Sequence, residues 1–127
     1  MDSEFEEESD DNTAMVLDRI GPATVPPDGF RFVDAAPPLS SDAELLALLG
    51  KYVWHAWDSK GIQGWYRGMI THRGCSQRDL AQNPGANFVV NYSKAVTGNR
   101  KLNGRVASTL TAEKYGKTEW WLLLEPL

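Results

Sequence analysis

Cysteine is almost missing from this chain. Cys75 is the single copy, so no intramolecular disulfide can form and no Cys-x-x-Cys pair is present for a structural zinc. A fold without disulfides suits a reducing compartment. Histidine is scarce too, at His55 and His72 alone. His72-x-x-Cys75, with Asp79 four residues on, supplies half of a metal-ligand pattern and no second pair. As a nucleophile and base it has no third, orienting group. No Gly-x-Ser-x-Gly elbow, phosphate loop or pair of spaced carboxylates occurs. The chain therefore reads as non-enzymatic, with neither metal nor cofactor expected. No apolar run approaches the ~20 residues that span a bilayer. The opening residues lack the basic and apolar regions of a secretory signal. No cluster of five or more Lys and Arg reads as a nuclear address. Together these absences predict a soluble intracellular protein, nuclear or cytoplasmic, with no membrane partner.

The net charge of −4 hides a split. Residues 1–40 carry ten acids against two bases, or −8, and residues 41–127 carry seven acids against eleven bases, or +4. An acidic leading segment and a mildly basic body attract one another. Residues 1–14 are too polar to offset the entropy of ordering and are expected to be disordered. Met15, Val16, Leu17 and Ile20 form a short apolar island able to dock on the body or a partner. Five of the seven prolines fall at Pro22, Pro26, Pro27, Pro37 and Pro38, which predicts an extended linker. Phe30, Phe32 and Val33 lie within it, positioned to cross the surface of the body or to anchor the linker. The division expected is a disordered acidic, Pro-rich tail and linker over 1–40 and a folded domain over 41–127.

Ser41 followed by Glu44 is a capping box, and Leu45, Leu46, Leu48 and Leu49 supply an apolar face that Gly50 can close. The spacing predicts one short helix over 41–49. Beyond it the pattern turns to strands, over 52–57, 65–72, 87–92, 101–110 and 119–125. A long polar loop over 73–86 and another over 93–100 separate them, and a single helical turn is expected over 111–116. Five short strands in series predict a mainly β protein: a small five-stranded antiparallel barrel of SH3-like size, preceded by the helix.

Side chains alternate across a strand. Val53, Gly68, Ile70, Phe88 and Val90 fall on the faces that would line the barrel. Gly68 gives room where a tight curve needs it. Trp57 ends its strand, Tyr66 begins its own, and a hairpin would bring the two to one rim, with Tyr92 joining from the third strand. Trp65 and Arg67 face outward, where Trp65 can pack under the N-terminal arm or serve a partner interface. Trp120 and Trp121 must point to opposite faces.

The run Val53-x-His55-x-Trp57, then Gly64-Trp65-Tyr66-x-Gly68-x-Ile70, then Val89-Val90-x-Tyr92 resembles Tudor-like members of the SH3-like barrel superfamily over about residues 50–95. Many such domains hold a methylated lysine or arginine in an aromatic cage, through attraction of the cation to ring faces. The resemblance implies a cage of Trp57, Tyr66 and Tyr92. Family members often carry an acidic turn after the third-strand tyrosine. Here Ser93-Lys94-Ala95-Val96 stands in that place, which leaves Asp58 as the acid beside the cage.

Three readings follow: a peptide reader with Trp57, Tyr66, Tyr92 and Asp58 as its site; a nucleic-acid-associated barrel using Arg73, Arg78, Lys94, Arg100, Lys101 and Arg105 against phosphates; or an interaction scaffold whose tail and arm make the contacts. Plainer readings stand beside them. Aromatics on strands serve as core and rim packing, and loop bases as a solvated surface.

Overall fold

The computed structural model describes residues 20–59, 62–92 and 104–127. Their strands form one six-stranded antiparallel sheet in the order β1-β6-β2-β3-β4-β5. Here β1 is Phe30–Val33, β2 Tyr52–Ser59, β3 Ile62–Arg73, β4 Phe88–Tyr92, β5 Gly104–Ser108 and β6 Trp121–Pro126. The helices are α1, Asp42–Leu46, and α2, Gln77–Gln82, and a 3-10 turn spans Ala112–Lys114. The protein is thus mainly β, but the sheet has six strands, with edges at β1 and β5 that share no ladder. No helix among the described residues is long and apolar enough to cross a membrane.

The sixth strand lies in what the prolines mark as linker. Phe30 to Val33 pair with Pro126 to Leu123, and Arg31 meets Glu125 across that pair at 2.6 Å. The sheet therefore draws on residues on both sides of position 40. Earlier residues also join the body: the Ala23 amide donates to the Lys117 carbonyl at 2.7 Å, and Trp65 Nε1 donates to the Gly21 carbonyl at 2.9 Å. Trp65 thus packs under the N-terminal arm. The expectations for the acidic segment over 1–14 and for Met15, Val16 and Leu17 lie outside the described residues.

The α1 capping box is formed, Ser41 Oγ accepting from the Glu44 amide and Glu44 accepting from the Ser41 amide. The helix is shorter than its leucine run. Leu45 and Leu48 pack on the core, whereas Leu46 and Leu49 stay exposed. Gly50, at φ +86°, turns the chain, and its amide donates to the Ile70 carbonyl at 2.8 Å, fixing the helix end to β3. The loop over 73–86 contains α2, which has its own capping box from Ser76 and Asp79. This helix docks on the edge strand through Arg105 and through Asn83 Nδ2, which donates to the Ala107 carbonyl at 3.1 Å.

One face of the sheet holds Val53, Tyr66, Ile70, Phe88, Val90, Tyr92, Trp121 and Leu123, and Leu48 and Leu110 close on it. The opposite face is also apolar: Ala56, Val89, Leu122 and Leu124 are buried there. β3 shifts register between Ile70 and His72, a bulge that places Thr71 Oγ1 3.2 Å from the Val89 carbonyl.

Tyr115 ties the 3-10 turn to the paired strands β1 and β6. Its hydroxyl donates to the Val33 carbonyl and accepts from the Leu123 amide at 3.1 Å, with its ring edge-on to Trp121 at 4.8 Å. Tyr115→Phe leaves both backbone groups without that partner, at about 1–3 kcal/mol for a buried group so orphaned. Urea unfolding of the variant should show a loss in that range with an unchanged m-value. An unchanged midpoint would mean that the β1–β6 pairing does not depend on this hydroxyl.

Candidate functional site

Strand alternation carries His55 and Trp57 to one face of β2, and the register sets His55 opposite Tyr66 and Trp57 opposite Gly64. On the far side of β3, Tyr92 of β4 stands opposite Gly68. With no side chain on Gly68, rings from β2 and β4 can meet across β3. A Cβ there would lie 2.5 Å from Val90 Cγ1 and 2.8 Å from Tyr92 Cδ1.

The result is a chain of three rings. His55 and Trp57 have centroids 5.1 Å apart, Trp57 meets Tyr92 edge-on at 5.7 Å, and His55 meets Tyr92 at 6.3 Å. Trp57 is half-buried, while Tyr92 is 1% and Tyr66 3% exposed. Trp57 and Tyr92 are therefore brought together, and Tyr66 packs in the same cluster as a buried core ring. Alternation places Asp58 on the opposite face of β2 from Trp57, away from the rings. The third ring beside Trp57 and Tyr92 is His55. The parity that groups Val53, His55 and Trp57 was its signal.

Tyr92 Oη lies 3.3 Å from Ser108 Oγ, which itself donates to the Val106 carbonyl at 3.3 Å, so the tyrosine is the donor of the first bond. Burial pushes the Tyr92 phenol up to about 12, against the smaller opposing pull of its polar neighbours. Burial also depresses His55 to about 4, with a backbone contact at Ala56 acting the other way, so the imidazole is neutral at pH 7. Two ring nitrogens here, His55 Nδ1 and Trp57 Nε1, are buried without a hydrogen-bond partner. The indole N–H lies towards the Tyr92 hydroxyl without forming a well-shaped bond. Beside the rings, Gly64 adopts φ +131°, where a Cβ would meet only Tyr66 Cε1 at 3.9 Å.

The depressed His55 makes stability pH-dependent. Between about 6.5 and about 4 the unfolded chain takes up a proton that the folded chain does not. Folding stability should therefore fall as pH drops through that window, by something on the order of 3 kcal/mol. Urea midpoints measured from pH 7 to pH 4 check this, and His55→Leu should flatten the slope. A slope unchanged in the variant would assign it elsewhere.

Of the six bases named for phosphate contact, two are paired within the fold, and Arg78 is exposed on α2. Arg73 Nη2 pairs with Asp42 Oδ1 at 2.7 Å. Arg105 makes a two-pronged contact with Asp79, at 2.9 and 3.0 Å. Lys94, Arg100 and Lys101 lie outside the described residues, as does the Ser93-Lys94-Ala95-Val96 segment. Asp79 is 6% exposed, beneath Arg105 and its own helix turn. The Arg105 hydrogen bonds, then those of Ser76, hold its carboxyl at about 2. Its contribution to stability is thus present above the ordinary carboxylate range and lost as pH falls from about 3.8 towards about 2. In an acid titration, Asp79→Asn should remove this lower limb and leave the His55 limb in place.

His72 and Cys75 do not form a reactive pair. His72 Nδ1 lies 3.0 Å from Thr71 Oγ1, and the Cys75 thiol points to the Phe88 carbonyl at 3.6 Å. Burial, then the charge of Asp79, pushes that thiol up, away from thiolate. Among the described residues no group of three or more His, Cys, Asp or Glu could hold a metal ion. Searches against protein-family models, curated proteins and solved structures found no match.

Proposed function

We propose that this chain is a non-enzymatic binding module that receives a side chain of a protein or peptide partner at the His55–Trp57–Tyr92 end of its sheet. The observation that carries the reading is the meeting of Trp57 and Tyr92 across Gly68, with Trp57 half-buried at the margin of an otherwise closed core. A tryptophan in this position offers a ring face to a partner and a fixed ring behind it. The two apolar faces of the sheet support a small curled SH3-like sheet of Tudor-like kind, open between β1 and β5. That likeness supplies the first ligand class to try, methylated lysine or arginine, with an intracellular and chromatin-associated setting. Nucleic-acid association draws no comparable support, since Arg73 and Arg105 already face carboxylates.

A panel of peptides bearing lysine and arginine, unmodified and modified, tests the reading against immobilised wild-type protein and Trp57→Ala. At least one peptide should bind and lose tenfold or more of its affinity in the variant, equal to about 1.4 kcal/mol. Peptides that bind both proteins alike would place the site elsewhere.

A further inference from the structure

We propose that this chain pairs with a second copy of itself through a wedge at the start of β2, the exposed leucines of each copy entering the wedge of the other. The surface lies at the opposite end of β2 from Trp57, so the inference stands apart from the reading of the ring cluster.

The sequence builds the wedge. The β2–β6 ladder ends where Tyr52 faces Leu124, whereas β6 runs on beside β1 to Pro126. The next ladder bonds would join Pro126 to Gly50. Pro126 has no N–H to give, and the Gly50 amide is turned to the Ile70 carbonyl at 2.8 Å. The strands therefore part and leave a cavity of about 310 Å³. Val33, Tyr52, Leu123, Leu124 and Pro126 give it mainly apolar walls. Its rim at Gly50, Lys51 and Glu125 is exposed, and a Cβ on Gly50 would meet nothing within 4 Å, so the mouth is open.

Two leucines stand next to that mouth. Leu45 and Leu48 pack on the core, which leaves Leu46 and Leu49, three residues apart, on the outer side of the same turn. They are 50% and 38% exposed, so they do not fill the wedge of their own chain. Leu49 adjoins Gly50 at the rim. A single exposed leucine needs no explanation, but a pair beside an apolar cavity places a knob and a hole on one surface. A two-fold axis fits each knob to the other copy's hole, the isologous arrangement of closed dimers.

Charge selects the same partner. The walls of the wedge carry one base, Lys51, and one acid, Glu125. Among the described residues Lys51 forms no ion pair. Glu125 takes Arg31 Nε on Oε1 at 2.6 Å, and its second oxygen can accept from another donor. A ligand of one charge sign would be repelled by one of the two walls. The two-fold axis instead sets Lys51 of each copy against Glu125 of the other, and both are matched.

Sedimentation velocity of the full chain, over a concentration series reaching ~1 mM, reads the association directly. The wild-type sedimentation coefficient should rise with concentration to that of a dimer and no further. Leu46→Ser/Leu49→Ser changes two exposed side chains, and should weaken the association about tenfold or more while the amide spectrum stays folded. Lys51→Glu and Glu125→Lys each set like charges together twice across the axis, and each alone should stay monomeric. Mixed in equal amounts, the two variants should associate, because every charge then meets its opposite. A wild-type chain that stays monomeric throughout overturns the proposal. So do growth beyond a dimer, a dimer that the leucine variant leaves as tight, and charge variants that fail to associate when mixed. Peptide binding at Trp57 holds or fails independently of all these outcomes.

Discussion

Trp121→Ala is expected to cost about 3–5 kcal/mol, the range for removing a large buried aromatic. That is a large share of the ~5–15 kcal/mol that holds a domain folded. Trp121 is fully buried, and its indole N–H donates to the Thr111 carbonyl at 2.8 Å. Its ring packs edge-on against Tyr115, and its backbone carbonyl accepts from the Gly116 amide at 2.8 Å. The side chain therefore fastens the 3-10 turn and its flanks to β6. The variant loses ring volume, one hydrogen bond and the surface on which Tyr115 rests. Tyr115 in turn bonds Val33 of β1, so β1 should loosen together with the turn. Urea unfolding gives the magnitude, and amide exchange should show the greatest loss of protection over 112–124 and 30–33. A loss below about 1 kcal/mol would mean that Trp121 is not the fastening point of this side of the sheet.

Gly68→Ala is the second large effect, for the opposite reason: it adds an atom where none fits. The Gly68 φ is not in the left-handed region, so the conflict is steric and not one of backbone conformation. The added methyl would lie 2.5 Å from Val90 Cγ1, 2.8 Å from Tyr92 Cδ1 and 3.1 Å from Tyr92 Cε1. Val90 is a short, fully buried β-branched residue, and the Tyr92 ring is held by Ser108 and Trp57, so neither can swing away. Overpacking of this kind costs about 1–3 kcal/mol, and the distances place Gly68→Ala at the upper end. Val90→Ala in the same molecule removes the nearest clash. The double variant should therefore be more stable than the sum of the two single losses, a coupling that a double-mutant cycle reads directly. Simple additivity would show that the Val90 side chain does not sit over Gly68.

These two positions also show what was legible in the sequence. The strong alternation of Val53 to Trp57, Trp65 to Ile70 and Phe88 to Tyr92 marks three central strands and the need for room at Gly68, while the register that brings Tyr92 to Trp57 is not fixed by alternation. Strand β1 was hidden because it is four residues long, bracketed by prolines, and paired with β6 more than ninety residues away. Proline composition describes its flanks and says nothing of such a partner. Helix α2 had a signal in Ser76-x-x-Asp79, but the neighbouring Pro84 and Gly85 dominate the pattern, and six residues are too few to show a helical period. Asp58 adjoins Trp57 in sequence and is for that very reason on the other face of the strand. His55, two residues away, is the true neighbour of the ring. The ion pairs of Arg73 and Arg105 join residues 31 and 26 positions apart, and no local spacing reveals them.

The central claim is that the Trp57–Tyr92 end of the sheet receives a partner's side chain. Intermolecular NOEs measured on the protein with a bound peptide of the lysine and arginine panel test it most directly. The account predicts contacts from the peptide's side chain to ring protons of Trp57, the half-buried ring of the cluster. Contacts that run instead to Trp65 under the N-terminal arm, or to the Arg73 and Arg78 surface, would contradict it.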